Sequence, residues 1–172
     1  MNKSAYLKLI LGILIGISGA IQLMQVKTWW FIQNVNLIFH EPGHIIFGIF
    51  GDFLGLIGGS LLEMLIPIIV TIHFFKQRYY FSTAFGCWWV STALLSVSIY
   101  ATDAQTRILP LITGDIESHD WYNILSQLGL LHYDYLFGSF FFAMSALSIC
   151  LIFYFLLKDP AIRIILVKNS KT

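Results

Sequence analysis

Residues 37–60 read LIFHEPGHIIFGIFGDFLGLIGGS, and how this stretch is read decides the fold. It is apolar enough for a bilayer, yet it carries His40-Glu41-Pro42-Gly43-His44, a His-Glu-x-x-His pattern. Two histidines four residues apart on a helix project from one face and can share a zinc ion. A glutamate beside them is placed to act as general base on zinc-bound water. Ionisable groups are costly and rare in lipid, so the pattern weighs more here than in a soluble chain.

The rest of the composition agrees with a membrane setting. The 172 residues are 58% hydrophobic and only 11% charged, with a mean hydropathy of +0.78; an ordinary soluble domain is about 25% charged. A span takes about 20 apolar residues, so the chain is expected to be one all-α integral membrane domain, a bundle of four to five transmembrane helices. A net charge of +1 argues against nucleic acid as a partner. Cys87 and Cys150, in separate apolar segments, are expected to be buried small hydrophobes rather than a disulfide.

The expected spans are residues 9–26, 37–50 together with 61–75, 81–100 and 135–157. Gly12 and Gly16 offer the first a packing face. A signal peptide cleaved near Ser18-Gly19-Ala20 is the competing reading of that segment, and Trp29-Trp30 beyond it suit an interfacial anchor. Basic residues cluster at Lys3 and Lys8, at Lys76 and Arg78, and in the tail at Lys158, Arg163, Lys168 and Lys171. The positive-inside rule places these in the cytoplasm, with both termini, and puts the acidic loop 103–134 outside. Residues 37–75 must then make one net crossing. A short motif-bearing helix, a re-entrant glycine-rich segment over 51–60 and a longer helix over 61–75 satisfy that count. Irregular backbone at that depth needs protein or a water-filled cavity around it. The site is thereby expected on the extracytoplasmic side.

A catalytic zinc site usually has three protein ligands. Asp103, just past the span ending at Tyr100, is the first choice to join His40 and His44. His119 and Asp120, in Ser118-His119-Asp120-Trp121, are the alternative, as third ligand or as partners orienting a ligating imidazole. Glu63 either lines the same cavity or is a carboxylate favoured at a helix start. Asp115, Glu117 and Asp134 are expected to be solvated loop acids, and His73 and His132 interfacial. Pro42 lacks an N–H and disfavours helix at Glu41, so a kink is expected there.

These residues resemble the membrane-embedded zinc peptidases of the site-two protease type. The matching features are His40-Glu41-x-x-His44 in an apolar helix, the glycine-rich segment after it, and an aspartate beside a later span (Thr102-Asp103-Ala104). The resemblance covers roughly residues 37–110. It implies zinc held by two histidines and one aspartate, Glu41 as base, and cleavage of a peptide bond in or near the bilayer. The expected partners are a membrane protein or peptide substrate and the lipid itself. The competing functions are a membrane metal-binding or transport protein, and a non-catalytic relative that binds partner helices.

Overall fold

The computed structural model describes residues 3–26, 28 and 30–169, and these are all-helical, with no strand among them. The helices are α1 (Lys3–Met24), α2 (Phe31–Gly48), α3 (Asp52–Lys76), α4 (Tyr80–Thr102), α5 (Asp120–Gln127), α6 (Asp134–Lys158) and α7 (Pro160–Asn169). Among the described residues, four segments are long and apolar enough to cross a membrane: α1, α3, α4 and Leu131–Lys158, which contains α6. Trp29 of the expected interfacial pair, and Lys171 of the basic tail, lie outside the described residues.

With no hydrophobic drive between helices in lipid, small residues and hydroxyls must hold them together. Gly12, Gly16 and Gly19 of α1 receive Leu156, Phe153 and Ile149 of α6, so these two helices run antiparallel. The Ser18-Gly19-Ala20 stretch is thus part of a continuous, packed helix. α4 and α6 are joined by Ser148 Oγ donating to the Cys87 carbonyl (2.8 Å), by the Ser91–Ser145 hydroxyl pair (2.9 Å), and by Ser98 Oγ donating to the Gly138 carbonyl (2.7 Å). Cys87 is buried at this seam as expected; Cys150 is exposed on the outer face of α6, because its helix turns that side away from the bundle.

The glycine-rich stretch is where the structure departs most from expectation. Gly51, with φ +124°, makes the tight turn between α2 and α3, and the helix starts at once with Asp52. Residues 52–60 are the first turns of α3 and not a re-entrant segment. Their glycines serve a different purpose. Gly43 faces the backbone of Gly58, and Gly48 faces Gly55, so α2 and α3 approach backbone to backbone. A Cβ at Gly43 or at Gly58 would run into the other residue's main chain, which has little room to yield. Gly43→Ala is therefore expected to lower stability by about 1–3 kcal/mol or more, as overpacking does, read as a lower midpoint of thermal unfolding in detergent.

A return of the chain occurs elsewhere. Gly19 on α1 lies against Trp88, while Asn36 and Phe39 on α2 lie against the neighbouring Trp89. Both helices run parallel to α4 through this level. α2 therefore begins back below the level at which α1 ends. Pro42 sits inside α2, and the helix continues through it to Gly48.

Candidate metal centre

α2 is the helix that carries the motif, and its side chains are placed by α3. His40 is buried, and its Nδ1 lies 3.0 Å from Glu63 Oε2. Glu63 is buried too, eleven residues into α3, which rules out the helix-start role considered for it. The Nδ1 of His44 lies 2.8 Å from the Gly55 carbonyl oxygen, which only accepts, so this nitrogen carries the proton. Both imidazoles consequently turn Nε2 the same way. These two atoms lie 3.1 Å and 3.3 Å from one oxygen, Oδ2 of Asp120.

Asp120 reaches the histidines because α5 is pinned in place. His119 caps the helix, its Nδ1 accepting from the Tyr122 amide (3.2 Å). Trp121 is buried against Phe137 and Phe141, and its Nε1 donates to Ser60 Oγ of α3 (3.1 Å). The hydroxyl of Tyr100 accepts from the Asp120 amide at 3.0 Å and donates to Asp120 Oδ2 at 3.3 Å. Burial opposes ionisation of Asp120. The His40 and His44 imidazoles beside it outweigh this and hold the carboxyl below the ordinary aspartate value. His119 is shifted down, burial prevailing over the pull of Asp103.

Among the described residues, His40, His44 and Asp120 form a cluster able to hold a metal ion, their ligand atoms within 4.8 Å of one another. The donor set fits zinc. Bonds of roughly 2.0–2.1 Å in a tetrahedron put neighbouring ligand atoms about 3.3–3.4 Å apart, close to the observed separations. Gly59 of α3 supplies the space: a Cβ there would sit 2.5 Å from both Nε2 atoms. Any side chain at this position would run into both imidazoles.

Asp103, the first choice for the third ligand, is not in the cluster. Its Oδ1 accepts from Thr106 Oγ1 (2.6 Å) and the Ile108 amide (3.1 Å), and its Oδ2 from the Leu109 amide (3.0 Å). An aspartate one residue past a helix end is well placed to organise the loop that follows, and those local amides take its oxygens. Asp134, expected in solvent, is buried and holds Gln105 through its amide (3.3 Å) and side chain (2.9 Å). Asp115 and Glu117 are exposed, as expected of loop acids.

Beside the cluster lies a cavity of about 260 Å³. Glu41, exposed on α2, lines it together with Gln33, Leu37, His40 and His44 from the same helix face. Ser96, Ile99 and Tyr100 of α4 form the opposite wall, and residues 109–113 form a mostly apolar roof. No protein-family model, curated protein or solved structure matches the chain.

Glu63 is the residue whose role was least legible in the sequence. A carboxylate behind a ligating histidine fixes the ring and raises its basicity, and losing one typically costs 10–100-fold in metal affinity. Glu63→Leu is therefore expected to weaken zinc binding by about 10–100-fold. Glu63→Gln, which keeps an acceptor for His40 Nδ1, should lose less. Competition against a chromophoric chelator measures both.

Proposed function

We propose that this chain is a membrane-embedded zinc-dependent peptidase, hydrolysing a peptide bond in or near the bilayer, and a functional counterpart of the site-two protease type it resembles. The observation that carries the proposal is the convergence of His40 Nε2, His44 Nε2 and Asp120 Oδ2 beside a cavity that Glu41 also lines. His40, His44 and Asp120 are the residues that would hold zinc. When bound, the metal supplies Lewis acidity, which activates water and polarises a carbonyl.

The remaining steps belong to the chain's own groups. Glu41 takes the proton from the attacking water and returns it to the leaving amine. Glu63 and the Gly55 carbonyl hold the imidazoles so that Nε2 stays free for the metal. Tyr100 keeps Asp120 in place. The cavity's Leu37, Ile99, Leu109, Leu111 and Ile112 suit an apolar stretch of polypeptide, which must be locally unwound for its carbonyl to reach the site. The glycines of residues 51–59 take no part in holding that stretch by strand addition, because their backbone is helical from Asp52 onward.

The same charge pattern that puts Lys76, Arg78 and Lys158 in the cytoplasm orients the site toward the extracytoplasmic side. α3 ends at Lys76 and α6 at Lys158, while Asp120 and the loop before it lie at the other end of the bundle. A membrane metal carrier is the rival reading, and substitution of Glu41 separates the two: a carrier keeps its function without a base, an enzyme does not. Purified wild-type protein that takes up no stoichiometric zinc overturns both.

A further inference from the structure

Asp103 and His119 connect two parts of the site that the proposed chemistry leaves separate, the roof of the cavity and the third ligand. Asp103 holds the roof at its near end, through Thr106 and the amides of Ile108 and Leu109. Its Oδ2 also lies 3.4 Å from Nε2 of His119, a fully buried ring. The Nδ1 of His119 accepts from the Tyr122 amide, so a neutral ring carries its proton on Nε2, facing the Asp103 carboxylate. That contact lacks the alignment of a hydrogen bond and acts between the carboxylate and the dipole of the ring's N–H. The ring is further held by Tyr100, whose centroid is 4.3 Å away and whose hydroxyl bonds both the amide and the carboxylate of Asp120. Next along the chain from His119 is Asp120 itself.

We infer that Asp103 is a positioning residue that, through His119, ties the seating of the cavity roof to the placement of Asp120, so that metal binding and roof closure are coupled. The inference rests on the metal-site reading proposed above. Its physical basis is that one carboxylate satisfies the loop amides and faces the cap of the helix that presents the ligand. Displacing the roof from Asp103 leaves that carboxylate free to turn, and the cap of α5 loses the carboxylate that faces its N–H.

The test uses the whole chain purified in detergent and zinc alone as the probe. Zinc affinity is measured by chelator competition, and hydrogen exchange is followed at the amides of residues 106–109. Asp103→Ala removes the link at the roof. His119→Asn removes it at the cap while keeping an oxygen that caps α5, since asparagine is among the best N-cap residues. Each is expected to weaken zinc binding about 10-fold, within the range for residues behind the ligands, and the double variant should lose little more than either alone. Zinc is expected to slow exchange at Ile108 and Leu109 in wild type and not in His119→Asn. Asp134→Asn is the control, since it loosens the same loop at Gln105 without facing His119, and it should bind zinc within about twofold of wild type.

Wild-type affinity in His119→Asn overturns the inference, as does full additivity of the two losses. An Asp134→Asn loss equal to that of Asp103→Ala overturns it as well, because general loosening of the loop then explains both. Should Asp103→Ala fail to fold, His119→Asn carries the test, because it leaves the Asp103 loop bonds intact. Wild-type protein that binds no zinc overturns the metal-site reading and this inference with it, whereas wild-type binding with an unaffected His119→Asn overturns the inference alone.

Discussion

Glu41→Gln is expected to purify with the same zinc content as the wild-type chain and to turn over its peptide substrate about 10²–10⁴-fold more slowly, the usual worth of a positioned general base. Zinc content should persist because Glu41 lies outside the cluster proposed to hold the metal, whose donor atoms come from His40, His44 and Asp120. Turnover should fall because glutamine fills the same volume on the cavity wall but accepts no proton. The two measurements must be made together. Loss of zinc along with activity would show that Glu41 acts on the site's structure, and unchanged turnover would remove the peptidase mechanism as drawn.

Gly59→Ala carries the second large effect, and its sign is informative. Alanine within a helix is normally favoured over glycine by about 1 kcal/mol, so on propensity alone the variant should be the more stable protein. The methyl carbon, however, would stand 2.5 Å from Nε2 of both histidines. The rings have no cheap retreat, since His40 is held at Nδ1 by Glu63 and His44 by the Gly55 carbonyl. Zinc binding is expected to drop at least about 100-fold, the upper end of what disturbing the groups around a metal costs, while the helix content of the protein is kept. Calorimetric titration with zinc reads the first, and far-ultraviolet circular dichroism the second. Unimpaired zinc binding in this variant would mean that the ligands do not converge where they are placed here.

Much of the site is local in the chain, and for that reason legible in it. His40, Glu41 and His44 stand within five residues, and a helix of ordinary pitch brings the two imidazoles to one face whatever surrounds them. The spans at α1, α3, α4 and α6 follow from length and apolar content in the same way. The proposed third ligand is different. Asp120 meets His40 across 80 residues of sequence, and nothing local distinguishes it from Asp103. Asp103 adjoins the C-terminal end of α4 directly, yet its own loop offers it two amides and a hydroxyl at short range, and these take its oxygens first. Asp120 is left to face the cluster because Trp121, beside it, is wedged into the bundle and bonded to Ser60.

The glycines were misread for a related reason. Gly51, Gly55, Gly58 and Gly59 break helices when only propensity is considered, which suggested an irregular re-entrant segment. Helix pairs in lipid reward glycine, because close backbone approach replaces a hydrophobic drive that lipid does not supply. Only the partner helix reveals which case applies, and here Gly43 and Gly48 of α2 meet Gly58 and Gly55 of α3.

Composition and local pattern were sufficient for helices long and apolar enough to cross a membrane and for the pair of histidines with their neighbouring glutamate, since both depend on residues close together in sequence. The identity of the carboxylate that meets both imidazoles, the support of His40 by Glu63, and the space that Gly59 leaves beside the rings came only from the packing of α2, α3, α4 and α5. Each of these depends on which side chain a distant helix leaves unpaired, and no stretch of residues read alone contains that information.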